Sequence, residues 1–165
     1  MSDLVRVTVK DGIAQLELND PEALNALALP VMNALYQRLD ELDQDPRVHV
    51  IVLSGNGRAF CAGGNIRNMK VTSVNPIEDN RKMDKVAGIV LKMLRTKKVV
   101  IAAVHGYAMG GGFALALCAD MVFAEEDVKF GLSYTKIGLT ADLGLNFYLA
   151  QLLGPWKAKE LMFSA

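Results

Sequence analysis

Three consecutive glycines, Gly110, Gly111 and Gly112, stand where an apolar run at residues 99–104 gives way to a second apolar run at 113–117. Glycine carries no side chain, so backbone N–H groups at such a helix entrance are bare and can meet an oxygen of another molecule. A second glycine-bearing turn, Phe60-Cys61-Ala62-Gly63-Gly64-Asn65-Ile66, follows the apolar run at 48–54. Two amides converging on one oxygen would stabilise the oxyanion of an enolate or tetrahedral intermediate, usually the largest single catalytic contribution in acyl chemistry. Neither turn fits a dinucleotide fingerprint. Gly55 and Gly57 lack a third glycine at the required interval, and Gly106 is followed by Tyr107-Ala108-Met109 rather than by one intervening residue.

The elements that must hold these turns are legible from periodicity. Residues 5–9 and 13–18 alternate at period two around Lys10-Asp11-Gly12, which predicts a β-hairpin. Leu29, Met32, Leu35, Leu39 and Leu42 recur at helical spacing until Asp45-Pro46 stops them. The run at 48–54 reads as a strand buried on both faces, ended by Gly55-Asn56-Gly57. Residues 67–80 are polar and mixed and read as a mobile loop before a helix at about 84–94. A strand at 99–104, a helix through 117 and a strand at 121–124 follow. The last segment reads as two helices with Pro155 at the start of the second. Strand, glycine turn and helix thus recur over 48–94 and 99–118, which predicts one coil of like units, not two domains.

Composition narrows the function classes. The chain has 165 residues, 52% of them hydrophobic, enough for one domain with a real core. Eighteen basic residues balance eighteen acidic ones, so no long-range field favours nucleic acid or an anionic membrane surface. Cys61 and Cys118 sit at no metal-ligand spacing and predict free thiols in a reducing compartment. The start lacks a basic leader followed by an apolar run, and no apolar stretch has membrane-spanning length, so a soluble, cytoplasmic protein is expected.

Four segments, taken in order, resemble the enoyl-CoA hydratase/isomerase (crotonase) family. They are Asp20-Pro21-Glu22-Ala23-Leu24-Asn25-Ala26-Leu27, Ala59-Phe60-Cys61-Ala62-Gly63-Gly64-Asn65-Ile66, His105-Gly106-Tyr107-Ala108-Met109-Gly110-Gly111-Gly112, and Phe130-Gly131 through Gly138-Leu139. The resemblance implies an α/β fold, a crotonase-like spiral of β-β-α units, holding a coenzyme A thioester with its carbonyl oxygen between two backbone amides. Carried over by position, those amides are Gly64 and Gly111. Glu22, Ala23, Leu24, Ala26, Ala62, Asn65 and Ile66 would line the coenzyme A path. No metal and no separate cofactor are implied, since coenzyme A is part of the substrate. Family members usually continue for roughly another hundred residues that close the pocket and join trimers or hexamers. Residues 1–165 are therefore expected to be a crotonase-like N-terminal core, lacking most of the usual C-terminal helical region and exposing the apolar surface it covers.

The chain departs from the family's hydratases at the two positions where they use glutamates to activate water. Ala114 and Tyr134 stand there. Alanine has no ionisable group, and a tyrosine in water titrates at about 10, so simple hydration is disfavoured. Asp142 matches the position where some members, including ring-modifying isomerases of aromatic acyl-CoA breakdown, carry a working aspartate. Burial in an apolar pocket strengthens a carboxylate as a base, and a single base suits moving a double bond or opening a strained ring beside the thioester. Other readings stay open at each position. Asp142 could cap the helix that follows it, His105 could bond a backbone carbonyl, Cys61 could be a small packed hydrophobe, and Tyr134 could bond substrate or wall the pocket. Isomerisation with Gly64, Gly111 and Asp142 is the leading expectation. Hydratase activity or a non-catalytic acyl-CoA binding module are the alternatives.

Overall fold

A computed structural model describes residues 3–65 and 76–164, apart from the side chains of 76–83 and 85. Strands β1 (Val5–Lys10) and β2 (Ile13–Leu18) pair antiparallel with Lys10 opposite Ile13. Asp11 and Gly12 between them both have positive φ, 51° and 81°. That is the backbone a two-residue turn needs to match strand twist, and an Asp-Gly pair supplies it. Strands β3 (Val50–Gly55), β4 (Val99–Val104) and, after the short β5 (Tyr107–Met109), β6 (Met121–Ala124) complete a five-stranded sheet. Its order is β1-β2-β3-β4-β6, parallel from β2 onward.

A second row of short strands runs alongside. Strand β5 pairs in parallel with β7 (Lys129–Gly131), and isolated parallel bridges join Cys61 to Ala108 and Leu27 to Gly64. Each turn of the chain therefore contributes a long strand, a short extended segment and a helix. The helices are α1 (Leu29–Gln44), α2 (Pro76–Arg95), α3 (Gly111–Leu117) and α4 (Leu145–Ser164). This is the expected spiral, with four turns where the sequence displayed two.

Helix α1 buries Val31, Met32, Leu35, Leu39 and Leu42, the apolar stripe read from spacing, and its last turn closes at Asp45. Helix α2 packs beside it through Ile89, Val90 and Met93, with Lys92 paired to Asp40 and held 4.5 Å from the centre of the Tyr36 ring. The predicted helix at 84–94 is thus longer, starting at Pro76. The rest of the 67–80 loop, residues 67–75, lies outside the described residues. Helix α4 is interrupted at Gly154 (φ 75°, ψ 160°), and Pro155 opens the second segment as expected.

One reading changes. Strand β3 is not buried on both faces: Ile51 and Leu53 face the core, while Val50 and Val52 are only partly covered. In register with them, Val99, Met121 and Phe123 are exposed. A run of valine and isoleucine cannot by itself distinguish two covered faces from one. Phe147, Leu152, Trp156 and Phe163 of α4 are exposed as well.

Asn25 fastens the first turn to the second. Its side chain has no solvent exposure. It accepts the Asp20 N–H at 2.8 Å and donates to the carbonyls of Asn56 (2.9 Å) and Ala59 (2.8 Å). Asn25 itself sits at φ 55°, a left-handed conformation asparagine tolerates better than most residues. Asn25→Ala leaves three polar backbone groups without this partner. We expect a loss of about 2–4 kcal/mol in urea unfolding.

Candidate functional site

The two glycine turns meet. Cys61 N–H donates to the Tyr107 carbonyl at 3.1 Å, and Met109 N–H returns a bond to the Cys61 carbonyl at 3.0 Å. The contact is too close for side chains. A Cβ on Gly63, whose φ is 82°, would collide with the Met109 carbonyl oxygen and lie 3.1 Å from the Gly111 nitrogen. A Cβ on Gly112 would run into the Cys61 carbonyl. Close packing therefore accounts for part of the glycine pattern, without exhausting it.

Peptide geometry orients both candidate donors. Leu27 N–H donates to the Gly63 carbonyl at 2.7 Å, and in a trans peptide the N–H of the next residue points the opposite way. The Gly64 N–H is thereby turned from Leu27, and Gly64 is exposed, with no hydrogen-bond acceptor for that N–H among the described residues. On the other turn, the Gly110 carbonyl accepts from Ala114 N–H at 3.0 Å. The Gly111 N–H then projects from the start of α3, where no intrahelical acceptor exists.

Beside this junction lies a third group. The Tyr134 ring packs on Gly110, with ring atoms 3.6 Å from where a Cβ would be, and its hydroxyl donates to Asp142 Oδ1 at 2.6 Å. The segment is wound tightly: Ile137 and Leu139 N–H groups both donate to the Tyr134 carbonyl, at 3.0 Å each. Leu145 N–H donates to the Asp142 backbone carbonyl at 2.9 Å, and Leu143, at φ 54°, comes within 3.2 Å of a Cβ placed on Gly111. Burial, then the hydrogen bond and charge of Asp142, push the Tyr134 phenol well above the ordinary tyrosine range. It stays protonated and donates. The half-buried Asp142 carboxylate thus takes its hydrogen bond from a phenol, not from a helix amide as the capping reading supposed.

The remaining expected residues fall as follows. Glu22, exposed, and Ala23 lie in a 3-10 turn, Pro21–Ala23. Leu24, at φ 55°, accepts the Ala62 N–H at 2.9 Å, and Ala26 is buried beside Leu27. Loops 22–27 and 61–65 are therefore adjacent, with Asn65 partly covered, while Ile66 lies outside the described residues. Ala114 is fully buried in a cluster with Leu132, Leu145 and Leu149. His105 Nε2 meets the Gly57 carbonyl at 2.9 Å, the backbone-bonding arrangement. Cavities of about 360 and 400 Å³ lie elsewhere, at Ser54, His105 and Phe123 and at Met32, Tyr36 and Asp84. Neither includes Gly64, Gly111 or Asp142, so the glycine junction lies outside both. Sequence reasoning named Tyr134 and Asp142 separately and missed that they bond. Their spacing of eight residues, through the turn at Gly138, carries no periodic signal.

A spiral of strand-strand-helix turns with two glycine turns locked together defines a crotonase fold. The chain belongs to the enoyl-CoA hydratase/isomerase family, whose model matches residues 8–165. It is 31% identical to the peroxisomal Delta(3,5)-Delta(2,4)-dienoyl-CoA isomerase of Arabidopsis thaliana, over 99% of this chain and 62% of that protein. Among solved structures, it matches an enoyl-CoA hydratase from Polaromonas sp. JS666 with a TM-score of 0.91 and 32% identity, covering 98% of this chain and 63% of that one. An enoyl-CoA hydratase from Thermoplasma volcanium GSS1 gives 0.90 and 32%, covering 99% and 64%. The chain spans 54% to 63% of the length of curated relatives it matches. Among the described residues no helix is long and apolar enough to cross a membrane.

Both thiols are free and buried, and burial pushes Cys61 up to about 12 and Cys118 up to about 11, from 9.0. Above pH 9 the unfolded chain releases these protons while the folded one retains them, so stability is full below that pH and declines as pH rises toward 11–12. We expect urea midpoints to fall over that window. At pH 8 a disulfide reagent should label neither cysteine until the protein unfolds.

Proposed function

We propose that this chain carries the thioester-binding core of an acyl-CoA isomerase, with the Gly64 and Gly111 amides as oxyanion hole and Asp142 as the single acid and base. The observation that supports it most is the placement of one carboxylate, Asp142, beside the triple glycine, with alanine and tyrosine at both positions where a hydratase would need glutamate. With a 3-enoyl thioester, Asp142 would take a proton from C2. The C2–H pair would move into the C1–C2 bond and charge would collect on the thioester oxygen, where two amide N–H groups stabilise it. Return of the proton to C4 would push the pair back, leaving the double bond between C2 and C3. Substrate and enzyme charge balance over the cycle, and no cofactor is needed beyond the coenzyme A of the substrate.

In the same reading, the coenzyme A portion lies along Glu22, Ala23, Leu24, Ala26, Ala62, Asn65 and Ile66, contacted mainly by backbone and apolar atoms. A trimer or hexamer in the cytoplasm is the assembly this reading expects of full-length family members, without nucleic acid or membrane. Hydration is the second reading, favoured by the similarity to the Polaromonas and Thermoplasma enoyl-CoA hydratases.

Two variants test the chemistry. Asp142→Asn should abolish solvent exchange of the C2 proton of bound 3-hexenoyl-CoA, read by NMR in heavy water, with affinity nearly intact. Undiminished exchange removes Asp142 from the mechanism. Gly111→Pro deletes one donor and should lower kcat by about 10²–10³-fold. Leu27 and Leu143 crowd a Cβ at that position, so Gly111→Ala, which keeps the N–H, is the control for crowding. Equal losses in the two variants would discard the oxyanion assignment. Turnover of 2-enoyl-CoA to the 3-hydroxy product, without isomerisation, would establish the hydratase reading. Tight acyl-CoA binding with no turnover would instead identify a binding module.

A further inference from the structure

We infer that Tyr134 is a positioning residue for Asp142, holding one carboxylate oxygen so that the other is the proton carrier; this rests on the proposed isomerase reading. The hydroxyl donates to Oδ1 at 2.6 Å, while Oδ2 has no hydrogen bond among the described residues. The two oxygens of a free carboxylate are equivalent and rotate. A short bond from a charge-assisted donor makes them different, with one pinned and one available to a carbon acid.

Tyr134 is itself fixed. Its ring rests on Gly110, and its carbonyl is held by the N–H groups of Ile137 and Leu139. The phenol therefore stands between the triple-glycine turn and the carboxylate. The phenol cannot replace Asp142 as the base, because burial and the neighbouring carboxylate keep its proton in place. Positioning Asp142 is a function for Tyr134 other than contact with substrate. Water activation by a carboxylate at this position is replaced by orientation of a carboxylate eight residues on.

Tyr134→Phe keeps the ring on Gly110 and removes only the hydroxyl. We expect kcat for 3-hexenoyl-CoA and C2-proton exchange to fall about tenfold or more, with the Kd for butyryl-CoA essentially unchanged and the thermal midpoint lowered by only a few degrees. In an Asp142→Asn background the same change should have no further effect, because Tyr134 acts through Asp142. Wild-type exchange in Tyr134→Phe overturns the inference and leaves the isomerase reading standing. A matched loss of affinity and rate also overturns it, by making the hydroxyl a substrate contact. A wild-type chain that binds butyryl-CoA yet exchanges no proton and isomerises nothing sinks the isomerase reading, and this inference with it.

Discussion

Everything at the site depends on how closely two stretches of backbone approach each other. The Gly63 turn and the Gly110–Gly112 turn touch through main-chain atoms, with Cys61, Tyr107 and Met109 exchanging hydrogen bonds across the seam. Pairing of Cys61 with Ala108 is ordinary for strands that carry side chains, but beyond it Gly63 and Gly112 face the opposite backbone so closely that a Cβ on either would collide. At those two positions the missing side chains let the turns close on each other. The same closeness orients the peptide planes, since Leu27 pins the Gly63 carbonyl and Ala114 pins that of Gly110. Each pinned carbonyl turns the N–H of the next residue away from its own loop. An amide so placed costs nothing to reorganise when charge develops near it, which is the physical basis of oxyanion stabilisation.

The supporting structure is built to keep that seam from relaxing. Asn25, buried and fully bonded, ties residues 20–25 to 56–59, and Leu24 and Leu27 then take up the backbone of Ala62 and Gly63. The Cys61 thiol donates to the Asn25 carbonyl at 3.1 Å from inside the core, serving as a small packed group, not a nucleophile. On the far side, Leu143 lies close over Gly111 and the Tyr134 ring over Gly110. Segments from all four turns of the chain, 20–27, 56–64, 107–112 and 134–143, thus meet at one junction.

The electrostatics are local. With the chain's charges balanced, the field at the site comes from nearby dipoles and from Asp142. Tyr134 is tuned by burial and by that carboxylate, and the result is a donor that cannot be a base. The exposed apolar residues of β6 and α4 lie in the same C-terminal third as this pair.

Sequence alone determined the local conformations and the chemical inventory. The Asp-Gly hairpin, the stripe from Leu29 to Leu42, the break at Gly154-Pro155, the glycine triplet and the lack of glutamate at 114 and 134 are all properties of neighbouring residues, so they are written in spacing and residue type. Long-range matters were not. That β3 and β4 show one face outward, that Gly63 abuts Gly111 and that Tyr134 bonds Asp142 all depend on segments tens of residues apart, or on a turn without periodicity, being brought to a fixed separation. Only the closed spiral supplies that distance, because contact between backbones is a property of packing, and no run of residue types specifies which runs will touch.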